Sequence, residues 1–94
     1  MESKRILDEG CPALRKLLKS LPLGTHIQEY LYKLSEIEIS AKAVTDDAEE
    51  SAVQNNWNQL IDRLKNTNAS DGTRIINKER WEKFFPPIYP FQKT

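Results

Sequence analysis

The candidates for nucleophilic catalysis are the single cysteine, Cys11, and the single histidine, His26. Such catalysis needs a nucleophile, a base and a group that orients the base. Cys11 comes just before a predicted helix, whose N-terminal dipole can lower a thiol pKa, but a small buried or capping cysteine explains the same position. His26 follows Thr25 in the first turn of another predicted helix, where we expect the imidazole to face solvent. We therefore assign no catalytic residue and do not expect an enzyme.

Closely spaced carboxylates suggest a second kind of chemistry, the binding of Mg²⁺ by oxygen ligands. Spacings of three and four residues place side chains on one face of a helix. Two groups have this spacing, Asp46, Asp47, Glu49 and Glu50 in the first and Glu79 and Glu82 in the second.

This spacing resembles that of the all-helical nucleotide pyrophosphohydrolases, whose paired carboxylates hold Mg²⁺ against a phosphate chain. The resemblance implies a carboxylate-Mg²⁺ nucleotide hydrolase, which is our third hypothesis. The sequence departs from the pattern because no Lys or Arg is placed beside the first group. A capped helix start explains the same residues, since carboxylates are favoured in the first turn of a helix. We therefore predict neither a metal site nor a cofactor.

A basic segment near the C-terminus combines cations with an aromatic ring, as in proteins that bind single-stranded nucleic acid. Its cations are Arg74, Lys78, Arg80 and Lys83, with Trp81 among them. The net charge of the chain is zero, but residues 57–94 hold seven basic and four acidic groups, and residues 21–56 hold two and seven. Pairing between these regions, within one chain or between subunits, explains the same pattern. A nucleic-acid-associated helical protein that uses segment 74–83 is thus the alternative hypothesis.

The strongest signal is a cluster of aromatic and proline residues at the C-terminus, with five of the eight aromatic residues between positions 81 and 91. One interpretation is that this segment folds back and completes the core. The other is that it anchors a partner protein, because aromatic residues dominate interface energetics and a proline-stiffened segment loses little entropy on binding. The predicted partner-binding residues are Trp81, Phe84, Phe85, Ile88, Tyr89 and Phe91.

Helices have to position these groups. Leucines at three- and four-residue spacing predict a first helix over 12–21, opened by Pro12 and ended by Pro22 and Gly24. Residues 1–11 form either a flexible arm or an extra turn. A capping box at Thr25 and Gln28 predicts a second helix over 25–44, in which the helical period outweighs a short period-two pattern at residues 36–40. Its apolar stripe is Tyr30, Leu34, Ile37 and Ala41.

Thr45, Asp46 and Asp47 are good N-caps, so a third helix is predicted to begin there. Its apolar residues, Val53, Trp57, Leu60, Ile61 and Leu64, do not continue the earlier stripe. This favours an antiparallel helical hairpin over one bent helix of about forty residues. Turn residues predict a loop over 66–74. Asn77 is predicted to cap a last helix that ends near Phe84, before an extended tail over 86–94.

Length and composition limit the size of the fold and the classes of protein to which the chain can belong. Ninety-four residues make one small domain, which we predict to be all-α, with three to four helices built on the hairpin. Hydrophobic residues make up 38% of the chain, so the core is expected to be thin and self-association to be favoured. One cysteine excludes an internal disulfide, and the first thirty residues contain no apolar run long enough for a signal or a membrane span. These features predict a cytoplasmic protein-protein interaction module, an accessory or regulatory subunit that forms homo-oligomers.

Overall fold

A computed structural model describes residues 2–22, 24 and 26–86 of the protein, and helices dominate this part of the chain. The elements are α1 (Glu2–Arg5), a π-helical turn (Ile6–Gly10), α2 (Cys11–Lys19), α3 (His26–Lys42), α4 (Asp47–Lys65) and α5 (Lys78–Phe84). The all-α prediction is confirmed for these residues, which contain no strand beyond an isolated bridge. The predicted tail from residue 87 onward and the predicted cap at Thr25 lie outside the described residues.

The first helical stretch begins at Glu2, ten residues before the predicted start at Pro12. Proline lacks an N–H, and its ring collides with the carbonyl four residues earlier in an ordinary α-helix. Here the chain passes through the wider π turn, in which the Cys11 N–H donates to the Ile6 carbonyl. A π turn inside a helix relieves this kind of conflict. Residues 2–10 are therefore helical, and Ser3 and Ile6 are buried against the other helices.

The hairpin of α3 and α4 is confirmed. Asp46 is the N-cap of α4, and its carboxylate accepts a hydrogen bond from the Glu49 N–H at 2.8 Å. The predicted stripe of α3 is buried, from Tyr30 to Ala41. In the structure, α3 packs against α2 and α4 of the same chain. The predicted apolar residues of α4 are all buried too.

The loop after α4 is held by its own backbone hydrogen bonds. Asn68 and Arg74 form the isolated antiparallel bridge, and Gly72 makes the reversal with a φ of +85°. The loop then places Ile75 and Ile76 in the core, with exposed fractions of 0% and 2%. The Ile76 N–H donates to the Leu64 carbonyl. These two isoleucines are core residues that the sequence interpretation missed.

The short helix α5 follows as predicted. The Asn77 side chain accepts a hydrogen bond from the Arg80 N–H at 2.8 Å, and α5 packs against α2. One core therefore runs through the helices, from Ile6 and Leu14 in the first stretch to Trp57 in α4 and Trp81 in α5. Among the described residues, no helix has both the length and the apolar character that a membrane span needs.

Candidate functional site

The C-terminal aromatic residues divide into a buried pair and a surface residue. The rings of Trp81 and Phe85 stack with centroids 3.7 Å apart and planes 3° apart. Each residue is 4% exposed and belongs to the core of the chain, as the interpretation of the cluster as core expects. Phe84 is half-buried at the edge of that core. The other three predicted partner-binding residues, Ile88, Tyr89 and Phe91, lie outside the described residues.

Two of the four predicted nucleic-acid-binding cations are engaged in holding the loop before α5. Arg80 donates to the backbone carbonyl of Arg74, to Thr73 Oγ1 at 2.6 Å and to Asp71 Oδ2 at 3.4 Å. Arg74 in turn donates to the Asn66 carbonyl at 2.7 Å. Hydrogen bonds from Thr73, with a smaller effect of Arg80, hold the pKa of Asp71 below its usual range.

The other two cations, Lys78 and Lys83, are exposed on α5. The Lys83 ammonium lies 5.6 Å from the centroid of the Phe84 ring. Trp81, predicted as the stacking platform among these cations, is in the core and offers no ring face to a base. The structure therefore keeps the basic character of the segment but separates it from its tryptophan.

The acidic group at the start of α4 serves the helix termini. Asp46 caps α4, and Glu49 accepts hydrogen bonds from the Thr45 hydroxyl and backbone N–H. Glu50 Oε1 accepts a hydrogen bond from the backbone N–H of Ser3 at 2.9 Å. Hydrogen bonding from Ser3 lowers the pKa of Glu50. Capping thus explains these carboxylates.

Neither carboxylate group forms a recognisable metal centre in the described part of the chain, where no set of three or more His, Cys, Asp or Glu residues is close enough to share an ion. Glu79 and Glu82 are both exposed on α5. The predicted spacing is real, but it brings together no further ligand among the described residues.

Cys11 is fully buried, and it lies inside a continuous helical stretch rather than at a free helix N-terminus. The pKa of its thiol is raised to about 12, mainly by burial; the nearby Glu38 carboxylate contributes to the rise and the Arg15 guanidinium opposes it. Arg15 and Glu38 form a two-pronged ion pair that joins α2 to α3. Cys11 is therefore not at a free helix N-terminus that could lower its thiol pKa, and its side chain packs in the core. His26 is exposed, as expected.

In the described part of the chain, two open clefts lie between helices. One, of about 280 Å³, lies between α3 and α4 over the buried side chains of Ile37 and Leu60, with Lys33, Asn56 and Gln59 among its polar walls. The other, of about 320 Å³, lies between the end of α2 and α5. Its walls include Ser20, Thr73, Asn77, Arg80 and Lys83. Both clefts are lined by cations and by one carboxylate, Glu36 in the first and Glu79 in the second. Neither cleft therefore favours ligands of one sign of charge.

The outer face of α3 is the surface that sequence reasoning missed. Tyr32 and Ile39 are each 68% exposed, and they are the large hydrophobic residues that stand out to solvent in the described part of the chain. They are seven residues apart, which is two helical turns and about 10 Å along one face. That face lies opposite the buried stripe of α3. The sequence does indicate this exposure, because neither Tyr32 nor Ile39 belongs to the predicted apolar stripe from Tyr30 to Ala41.

In comparisons with known proteins, no protein-family model, curated protein or solved structure matches this chain.

Proposed function

We propose that this protein is a small helical interaction module, an accessory or regulatory subunit that binds a larger protein. The observation that carries the proposal is the exposure of Tyr32 and Ile39 on a helix whose opposite face already supplies the core. Exposure of large apolar side chains to water is unfavourable, and burial of these side chains against a partner surface would lower the free energy. The hairpin fixes both residues on a rigid helix, so little entropy is lost when they dock.

The C-terminal segment is the second part of the proposed surface. Phe84 is half-buried, while Trp81 and Phe85 are packed inside and can only support it. We therefore assign partner contact to Phe84, Ile88, Tyr89 and Phe91, and we assign Trp81 and Phe85 to positioning. Among the described residues, the proposed surface thus uses Tyr32, Ile39 and Phe84 rather than the buried pair Trp81 and Phe85.

Affinity capture from native lysate tests the proposal. The baits are the intact chain, the double variant Tyr32→Ser with Ile39→Ser, and a chain that ends after Pro86. Ending the chain there keeps the core residue Phe85, which a truncation after Lys83 would remove. Ala52→Ser, an exposed change on α4, is the matched control. A stoichiometric protein captured by the intact chain and the control, but lost with either of the other baits, supports the proposal; no such protein in any lysate contradicts it.

Nucleic acid binding stays the alternative. Arg74 and Arg80 donate hydrogen bonds within the loop, and Trp81 is buried. The nucleic-acid hypothesis therefore has less support than the sequence suggested. Homo-oligomer formation also stays a prediction, and the apolar stripe of α3 packs within one chain.

A further inference from the structure

Residues 2–10 form a short segment that lies on the helical hairpin. The α1 part of the segment packs against α3 and α4, and its π-helical turn packs against α3. Ser3 and Ile6 are buried in this contact, and the Ser3 N–H donates to Glu50 Oε1 of α4 at 2.9 Å. The surface that receives the segment is therefore defined, and every copy of the chain carries both the segment and its surface.

The junction between this segment and α2 disfavours a continuous helix. Pro12 has no N–H to donate, and its ring crowds the carbonyl four residues earlier. Proline also biases the residue before it toward an extended backbone, whereas Cys11 is helical, with a φ of −63° and a ψ of −46°. Gly10, the weakest helix former after proline, is helical as well. Residues 10–12 thus favour an extended conformation more than the helix in which the fold holds them.

The ion pairs of Arg5 lie within the segment itself. Its guanidinium is 3.6 Å from a carboxylate oxygen of Glu2 and 3.6 Å from one of Glu9. These pairs stay together when the segment moves as a unit. Release of the segment from the hairpin breaks the hydrogen bond from Ser3 and exposes Ile6, which a second surface of the same kind can restore.

A second copy of the chain, opened at the same hinge, offers that surface. Exchange of residues 2–10 between the two copies re-forms the contacts that each segment makes with α3 and α4. The exchanged dimer therefore differs from two closed chains mainly in the conformation of the hinge and in the entropy lost on association. The extended preference of residues 10–12 favours the dimer, and dilution favours the closed chain.

We propose that two copies of this protein form a dimer by exchanging residues 2–10, with residues 10–12 as the hinge. In this dimer each chain places its Ile6 in the core of the other and donates its Ser3 N–H to the other chain's Glu50. The arrangement has two-fold symmetry, because each chain gives and receives the same segment. The inference goes beyond the proposed function, since it concerns self-association and uses neither the outer face of α3 nor the C-terminal segment.

Isotope-filtered NMR on the intact chain tests the exchange. Labelled and unlabelled chains are mixed in guanidinium, refolded together at high concentration and separated by size exclusion. In the dimer we expect nuclear Overhauser effects between the Ser3 amide of the labelled chain and the side chain of Glu50 in the unlabelled chain. In the monomer the same contact should be seen only within one chain.

Variants assign the effect to the hinge. Pro12 is exposed, so Pro12→Ala leaves no cavity, and it should raise the dissociation constant of the dimer at least about ten-fold in sedimentation measurements. Pro22→Ala, an exposed change outside the hinge, is the matched control and should leave the constant unchanged. Circular dichroism checks that both variants stay helical.

Glu50→Gln separates exchange from an ordinary surface contact. It weakens a bond that the closed chain and the exchanged dimer both contain, so the dissociation constant should stay the same. The rate at which labelled and unlabelled dimers mix should rise, because the segment must leave its surface for chains to exchange.

Three results would overturn the inference: a monomer at every concentration tested, a dimer in which Ser3 contacts only the Glu50 of its own chain, or a dimer equally stable with Pro12→Ala. Capture of a partner from lysate tests the proposed function separately. The protein can therefore prove to be an interaction module that does not exchange its segment, or an exchanged dimer that captures no other protein.

Discussion

The carboxylate of Glu50 in α4 accepts a hydrogen bond from the backbone N–H of Ser3, a residue 47 positions earlier in the chain. The first N–H groups of a helix have no partner within the helix, so Glu50 acts as a cap supplied from a distance. Its second oxygen, Oε2, is buried without a hydrogen bond among the described residues. One side chain therefore ties the start of the first helical stretch to the hairpin.

This link should make the docking of residues 2–10 depend on pH. Hydrogen bonding from Ser3 lowers the folded-state pKa of Glu50 below its ordinary value of 4.5. A carboxylate of this kind stabilises the fold above its unfolded pKa and loses that contribution as the pH falls through the lower, folded-state pKa. Amide hydrogen exchange of residues 3–10 should thus accelerate, relative to the core of α4, as the pH falls below about 4.5.

Glu50→Gln isolates the effect, because it removes the charge and keeps the shape. The variant should show faster exchange in residues 3–10 at neutral pH and little further change on acidification. Glu49→Gln is the matched control in the same helical turn, since Glu49 contacts Thr45 and not Ser3. Asp71 also has a lowered pKa, but its protonation acts on the loop before α5. Equal behaviour of the two glutamine variants would show that Glu50 does not hold the segment.

The stacked pair Trp81 and Phe85 should carry much of the stability of the C-terminal half. Removal of a large buried aromatic side chain costs about 3–5 kcal/mol, and Trp81 is 4% exposed. We expect Trp81→Ala to lower the free energy of unfolding by this amount in urea denaturation. Phe84→Ala is the comparison, because a half-buried ring should cost about half as much or less. Similar losses for the two variants would mean that the burial of Trp81 does not translate into stability.

Cys11 should be unreactive in the native protein. With a thiol pKa of about 12, about one molecule in ten thousand carries the thiolate at pH 8. An exposed thiol at the ordinary pKa of 9.0 has about one in ten. Labelling with a disulfide reagent should therefore be at least about a hundred-fold slower in the native chain than in guanidinium. Rapid native labelling would show that the helix around Pro12 opens readily.

Local patterns in the sequence predicted most of the helices. The caps at Asp46 and Asn77 and the stripe of α3 depend on neighbours within a few residues, so they can be inferred from spacing alone. Pro12 was misleading because its preference for a helix start is local, whereas the helix that precedes it gains from burying Ser3 and Ile6. Contacts between residues far apart in the sequence, such as that between Arg15 and Glu38, cannot be predicted from the spacing of residue types.

The candidate site shows the same limit. Aromatic composition marked the C-terminal segment but could not tell Trp81, which is inside, from Phe84, which is at the edge. The cations Arg74 and Arg80 looked available because the loop carbonyls and Asp71 that receive their hydrogen bonds are determined by the fold. Tyr32 and Ile39 lie outside the predicted stripe of α3, but whether another helix covers that face is determined by the fold, and the structure leaves both residues exposed.

Self-association can be measured directly. The low hydrophobic content predicts a dimer or larger assembly at micromolar concentration. Within one chain, however, the stripe of α3 already packs against α2 and α4, so a dimer that does not exchange residues 2–10 should use the outer face. Sedimentation of the intact chain and of Ile39→Ser separates these cases. A dimer that persists in Ile39→Ser uses another surface, and a monomer at nanomolar and micromolar concentration removes the prediction.

Nucleic acid binding, if it occurs, should have a weak salt dependence. Each phosphate neutralised by a cation contributes close to one counterion to the salt dependence of the binding constant. Of the four predicted cations, Arg74 and Arg80 already donate to the loop, which leaves Lys78 and Lys83 exposed on α5. The slope should therefore be about two counterions, and Lys78→Gln with Lys83→Gln should abolish binding of a labelled single strand at low salt. Lys16→Gln with Lys19→Gln, exposed on α2, is the matched control. A slope of about four would mean that both arginines leave the loop for phosphate, which would restore the nucleic-acid hypothesis at the expense of the interaction module.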